Sequence, residues 1–274
     1  MALCYMDGQF LPIEKATLPV SDTIILRGVG VFESICTFRR RPLMLTPHLE
    51  RLIRSAAASS IRVPLTMPAM KDVVYEGIAK LQDECLVRPY ITGGDIFLDG
   101  QFPSPRFFTL FEKVQKPSPD VYDKGVMLLP VDEERHNPNV KSTNYMLSYT
   151  EYAKCKEAFE ILYAPGGEIT EAGHSTFFLY IEGTLVTAPL SRVLKGTTRE
   201  IVLQLAEEKG MKVEQRTPLL SELPRAQEAF ITGSMKEIVP VVRIGQQVIG
   251  SGTPGPVTRM LHRTLLEEII RWLE

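Results

Sequence analysis

Apolar residues recur with helical spacing in only a few stretches of this chain. In TPHLERLIRSAAASS, residues 46–60, Leu49, Leu52, Ile53 and Ala56 share one helical face, and Thr46 with Pro47 supplies a helix start. TTREIVLQLAEEKG has the same period and ends on Gly210, suited to the position just past a helix. Further helices are predicted over about 145–159 and from Pro256 to Trp272. Strand patterns occupy 125–131, the hairpin TFFLYIEGTLVTA turning on Glu182-Gly183, and the strand-turn-strand unit EAFITGSMKEIVPVV. The first 112 residues mix short apolar strands with the one clear helix. EKVQKPSPDVYDKG has two prolines, many charges and no period, so it reads as a linker. The expectation is an α+β fold of two domains, 1–117 and 118–274, without internal repeats.

Composition narrows the partners. With 274 residues, 44% of them hydrophobic, the chain can build real cores. Its 31 basic and 33 acidic residues give a formal charge of −2, so no electrostatic footprint for nucleic acid or an anionic membrane stands out. No apolar run approaches the roughly 20 residues of a membrane span. Cys4, Cys36, Cys85 and Cys155 form no C-x-x-C pair, and MALCYMDGQFLP lacks a secretory pattern, so a reduced, cytoplasmic protein is expected. His48, His136, His174 and His262 are far apart and make no metal motif.

Several short stretches carry candidate chemistry. NPNVKSTNYML isolates Lys141 among small polar residues, where a strand pattern gives way to a helical one. RGVGVFE lacks the third glycine and later acidic residue of a dinucleotide site, so its glycines read as turn formers. ITGSMKE is not a nucleophile elbow, and a serine hydrolase is a poor fit. In LKGTTREIVLQLA a glycine and two threonines precede a helix, an arrangement that suits a phosphate or an ordinary threonine cap. In ITEAGHSTFF, Glu171 stands before an apolar strand, where a buried carboxylate needs a partner.

The order of these pieces resembles the fold-type IV pyridoxal-phosphate enzymes. Lys141 after a strand, Glu171 in E-A-G-x-S, G-T-T-R at a helix start and T-G-S-x-x-E-x-x-P-V occur in that sequence, together with MDGQFLP, GVGVFESI and HLERL. The family includes branched-chain L-amino-acid transaminases, D-amino-acid transaminases and aminodeoxychorismate lyases. The resemblance implies a small N-terminal domain, a larger C-terminal domain carrying the lysine and phosphate cup, and pyridoxal 5′-phosphate as cofactor. It assigns Lys141 as Schiff-base lysine and proton carrier, and Glu171 as partner of the pyridine nitrogen. Tyr145 would lie near the phenolic oxygen, one residue closer to the lysine than in the branched-chain enzymes. Arg51, Thr197, Thr198 and Ser234 would hold the phosphate, and Leu194 would lie against the ring.

The sequence departs from those relatives at the substrate positions. Arg88 in LVRPYITGGD matches an arginine reaching the substrate pocket, Arg27 replaces a tyrosine contributed across a dimer interface, and Lys236 replaces a small residue of the G-T-A-A turn. The R-x-H pair of well-known D-amino-acid transaminases is absent. Two arginines toward the phenolic oxygen are costly beside an aliphatic side chain, so a carboxylate is expected there. Lys236 would receive a second carboxylate. The expected activity is transamination between D-amino acids, such as D-glutamate or D-alanine, and 2-oxo acids by a homodimer. An L-branched-chain transaminase and an aminodeoxychorismate lyase are the alternatives, and a non-catalytic protein that keeps the fold is a reading from another class.

Overall fold

The computed structural model describes residues 2–274. The chain forms two compact units: one runs to Gln115 and includes 140–144 and 270–274, and the other comprises 116–139 and 145–269.

The first unit contains β1 (Leu3–Met6), β2 (Gln9–Pro12), α1 (Thr23–Arg27), β3 (Gly30–Phe32), β4 (Ile35–Phe38), β5 (Arg41–Pro42), α2 (Leu45–Ala58), α3 (Met67–Leu81), β6 (Cys85–Thr92) and β7 (Arg106–Lys113). Its sheet runs β2-β1-β7-β6-β4-β5, with β3 also on β6. Alternation along the strands divides the sheet's faces. Val87, Ile91 and Phe111 share a core with Leu45, Leu49, Leu52 and Ala56 of α2 and Met70, Val74 and Ile78 of α3. On the other face of β6 and β7 lie Arg88, Tyr90, Phe108 and Glu112, with Tyr90 stacked on Phe108 at 4.8 Å and on Phe32 at 5.4 Å.

Helix α2 begins at Leu45, earlier than Thr46 and Pro47 suggested, and its start is capped from elsewhere. Met44, with φ 54°, offers no side-chain cap. Glu274 instead accepts from the Thr46 N–H at 2.8 Å and from its hydroxyl, with Lys71 alongside. Leu273 bridges Leu43, which holds the last residues on this unit.

The linear boundary expected near 117 differs from the observed division because 140–144 pairs with β3. Phe32 N–H donates to the Lys141 carbonyl at 3.0 Å, Thr143 N–H donates to the Gly30 carbonyl at 3.0 Å, and Val140 enters the α2–α3 core.

The second unit contains α4 (Pro119–Lys124), β8 (Val126–Val131), α5 (Met146–Tyr152), β9 (Glu160–Tyr163), β10 (Thr176–Ile181), β11 (Thr184–Thr187), α6 (Thr197–Glu208), β12 (Lys212–Gln215), β13 (Ala226–Gly233), β14 (Glu237–Ile244), β15 (Gln247–Val248) and α7 (Pro256–Glu268). The sheet order is β12-β11-β10-β13-β14-β8-β9, with β15 on β14. The β10–β11 hairpin turns on Glu182 and Gly183, both at positive φ. Helix α5 is half as long as its pattern suggested: beyond Tyr152 the chain passes into tight turns, with Lys154 N–H donating to the Glu151 carbonyl and Cys155 N–H to the Tyr152 carbonyl, before it enters β9. No helix of the described residues is long and apolar enough to cross a membrane.

Candidate functional site

Candidate residues fall into two groups, one within each unit. In the first, Lys141 is suspended between two elements. Its N–H donates to Ser55 Oγ of α2 at 3.2 Å, its carbonyl accepts from β3, and its Nζ lies 4.8 Å from the Phe32 ring centre. Phe32 stacks on Tyr90, and Arg88 lies two residues back along β6 on the same face. A row of side chains therefore leads from the lysine amine to a guanidinium.

One turn of α2 before Ser55, Arg51 is buried against a carboxylate that the sequence reading missed. Its Nε and Nη2 donate to Glu33 at 2.6 and 2.7 Å, and His48 Nδ1 meets the same carboxylate at 2.7 Å. Burial alone would raise the Glu33 carboxyl, but the Arg51 guanidinium and His48 outweigh it and hold the group well below the usual carboxylate range. Burial pushes His48 below its ordinary value, although Glu33 pulls the other way. Glu33 thus fixes the orientation of the Arg51 guanidinium.

Arg88 is also partnered. Its Nη2 bonds Glu112 of β7, with both side chains 30% exposed, while its Nε is buried without a hydrogen-bond partner among the described residues. The expectation of an uncompensated arginine is corrected by this ion pair. Arg27 ends α1 on the surface and donates to the Leu26 carbonyl. Helix α1 is anchored by buried Asp22, which accepts from the Ile24 N–H at 2.9 Å and bonds Thr92 and Arg106. Arg106 also bonds Asp95, which joins α1 to the 93–102 loop.

In the second unit, Glu171 is buried, and its carboxylate accepts from Arg135 Nη1 at 3.2 Å and from the Leu194 N–H at 3.3 Å. Burial opposes the Arg135 charge, but Glu171 prevails and raises the guanidinium above its ordinary value. Arg135 is concealed in the charged run DEERH and was not singled out from sequence. Tyr145 precedes α5 and stacks on His174 at 4.9 Å, with the Arg135 guanidinium 5.9 Å from its ring. Leu194 is buried.

Thr197 and Thr198 are buried at the first turn of α6, whose start at Gly196 has no side-chain cap. A side chain at Gly196 would come within 2.6 Å of Thr176 Oγ1, so only glycine fits this turn. The N–H groups of a helix start, two hydroxyls and the positive helix end suit a phosphate. The buried Glu171 carboxylate, already braced by a guanidinium, suits a protonated ring nitrogen. These donors fit a phosphorylated pyridine cofactor.

Ser234 and Lys236 lie in the turn between β13 and β14, where Lys236 N–H donates to the Gly233 carbonyl at 3.1 Å. The Lys236 ammonium bonds buried Glu160, and this pairing corrects its expected availability as a substrate cation. Glu160 also accepts from the His174 N–H at 2.8 Å and Ser175 Oγ at 2.9 Å. Burial would raise the Glu160 carboxyl, yet Lys236 and His174 bring it below the ordinary range.

Comparison with known proteins agrees with this chemistry. A family model described as "Amino-transferase class IV" matches residues 30–244. The chain is 34% identical to a putative branched-chain-amino-acid aminotransferase of Methanocaldococcus jannaschii over 98% of its own length and 96% of the relative's. It is 29% identical to a D-alanine aminotransferase of Bacillus licheniformis, covering 96% of each chain. A branched-chain amino acid aminotransferase solved with pyridoxamine 5′-phosphate superposes with a TM-score of 0.90 at 25% identity, over 99% of this chain and 97% of that one. A putative branched-chain amino acid aminotransferase from Thermotoga maritima superposes with a TM-score of 0.85 at 26% identity, over 98% of this chain and 96% of that one.

Proposed function

The chain belongs to the class IV aminotransferases, which use pyridoxal 5′-phosphate, and from that premise we propose that it transfers amino groups between D-amino acids and 2-oxo acids. The bound cofactor supplies an electrophilic carbon and an electron sink for the charge released at the substrate Cα. Lys141 Nζ would be the amine that holds the cofactor and the base available to the proton at the substrate Cα. Its backbone is held by Ser55 and Phe32, which fixes where that amine can act. Glu171, braced by Arg135, keeps a proton on the pyridine nitrogen. Arg51, Thr197, Thr198 and Ser234 would hold the phosphate, Leu194 would bear on the ring, and Tyr145, whose ring is fixed by its His174 stack, would serve the phenolic oxygen.

The observation that carries the D reading is the face Lys141–Phe32–Tyr90–Arg88, which sets a guanidinium on the sheet face that also presents the lysine. A substrate reacting at Lys141 can lay its α-carboxylate along that row. Lys236 is a weaker competitor for it, because its partner Glu160 is buried, whereas Glu112, the partner of Arg88, keeps 30% of its surface exposed. A distal substrate carboxylate gains little there, which favours D-alanine over D-glutamate. The second reading, a branched-chain L-amino-acid transaminase, draws on the Methanocaldococcus relative and would give the same arginines a side-chain carboxylate.

The active form is a homodimer in this proposal. Ile25 and Leu26 on α1 and Ile96, Phe97 and Leu98 on the loop that Arg106 ties to it form an exposed apolar patch beside Arg27. Such a cluster suits a second copy and would deliver Arg27 to the partner's site. The deciding experiment mixes the yellow holoenzyme, without oxo acid, with D-alanine or L-leucine and follows its absorbance. Rapid bleaching by D-alanine alone is expected, whereas bleaching by L-leucine alone replaces this reading with the branched-chain one.

A further inference from the structure

Within the first unit, the group best placed to bind a substrate carboxylate already holds one. The Arg88 Nη2 is bonded to Glu112, and the strand register explains the pairing. Arg88 faces Leu110 and Leu86 faces Glu112 across β6 and β7, so the two charged residues are diagonal neighbours on one face. The pair is electrically neutral as it stands, so it offers little field to attract an anion. Two features nevertheless mark it as exchangeable. Both side chains keep 30% of their surface exposed, so Glu112 can swing into water at small desolvation cost. The Arg88 Nε is buried without a partner among the described residues, and so the guanidinium retains an unmet donor on its inner edge. That Nε has no accessible surface, so it gains a partner only when the guanidinium shifts, as exchange of Glu112 for a ligand carboxylate would allow.

We propose that Glu112 is a resident competitor for Arg88, a specificity-determining residue that occupies the guanidinium until the substrate's carboxylate displaces it. The inference rests on the reading that Arg88 receives that carboxylate. Its sign separates it from a supporting role. If Glu112 merely aimed Arg88, its removal would weaken substrate binding; if it competes, its removal strengthens binding. A competing carboxylate also disfavours weakly held monocarboxylates. Discrimination between good and poor substrates then narrows when the competitor is gone.

The test uses holoenzyme of the wild type and of Glu112→Gln, Glu112→Asp and Arg88→Leu. KM and kcat are measured for D-alanine, with the inhibition constant of propionate, an unreactive carboxylate, as a binding readout separate from turnover. Glu112→Gln should lower KM and the propionate constant about tenfold, the scale of one like charge removed from a partly exposed site. kcat should stay constant or fall as product leaves more slowly. Glu112→Asp, which withdraws the carboxylate but keeps its charge, should shift both in the same direction by less. Arg88→Leu should raise both. A rise or no change in KM and the propionate constant in both Glu112 variants, with Arg88→Leu impaired, overturns the competitor while leaving Arg88 in the substrate site. Unchanged constants in Arg88→Leu overturn both the competitor and the reading beneath it.

Discussion

Replacing Glu33 with alanine should be among the most damaging single changes in the first unit, although Glu33, the last residue of RGVGVFE, carries no role that its sequence context announces. The carboxylate is fully buried, and Arg51, also buried, spends Nε and Nη2 on it. Glu33→Ala leaves a guanidinium in the interior without its counter-ion, which costs about 3–5 kcal/mol. For a chain of this size that corresponds to a fall of roughly 10 °C in unfolding midpoint. The measurement is urea denaturation of the cofactor-free protein, so that lost phosphate binding cannot mimic lost folding. Glu33→Leu combined with Arg51→Met removes both charges and should recover most of the loss. The pH response has a definite sign. Because the folded carboxyl is held below its unfolded value of about 4.3, its contribution is complete above that value and disappears as pH falls through the folded one. The gap between wild type and Glu33→Gln should therefore persist from pH 8 to pH 5 and narrow only in stronger acid. A Glu33→Ala protein within 1 kcal/mol of wild type, or a double variant no better than the single one, would refute the reasoning.

Two further changes probe other parts of the fold. Glu274→Ala removes the cap on α2 and should cost about 1 kcal/mol at pH 7; burial raises this carboxyl but Thr46 and Lys71 more than reverse it, so the urea-midpoint gap should close as the solution is acidified below pH 4. Gly77→Ala in α3 would set a methyl 2.2 Å from the buried Phe111 ring, so a loss of about 1–3 kcal/mol in denaturation should exceed the helix-propensity gain of about 1 kcal/mol, and a stabilised variant would contradict the packing described.

What could be read from the sequence was whatever depends on neighbours along the chain. The β10–β11 hairpin announces itself through Glu182-Gly183, and α6 through its glycine and threonines, because turn and cap chemistry is local. The family order of Lys141, Glu171 and G-T-T-R was legible for the same reason. Helix α3 was not, since Val73, Val74 and Gly77 depress its propensity and only burial against β7 secures it. The length of α5 differs from its pattern because the chain passes into tight turns beyond Tyr152 on its way to β9. The ion-pair partners were hidden most completely. Glu33, Glu112, Arg135 and Glu160 meet Arg51, Arg88, Glu171 and Lys236 across 18 to 76 positions of sequence, and no local pattern encodes such a meeting. Arg88 and Lys236 are therefore halves of ion pairs rather than free cations.

The return of 140–144 and 270–274 to the first unit has a bearing on how the protein is made. A ribosome delivers Gln115 long before Val140 and longer still before Glu274, yet Val140 fills the α2–α3 core and Glu274 closes the start of α2. During synthesis the first unit must therefore wait with an incomplete core and an open helix end while the whole of the second unit emerges. A nascent chain arrested after residue 115 should be cleaved by protease within α2, and protection of that helix should arrive only when residues 270–274 leave the exit tunnel.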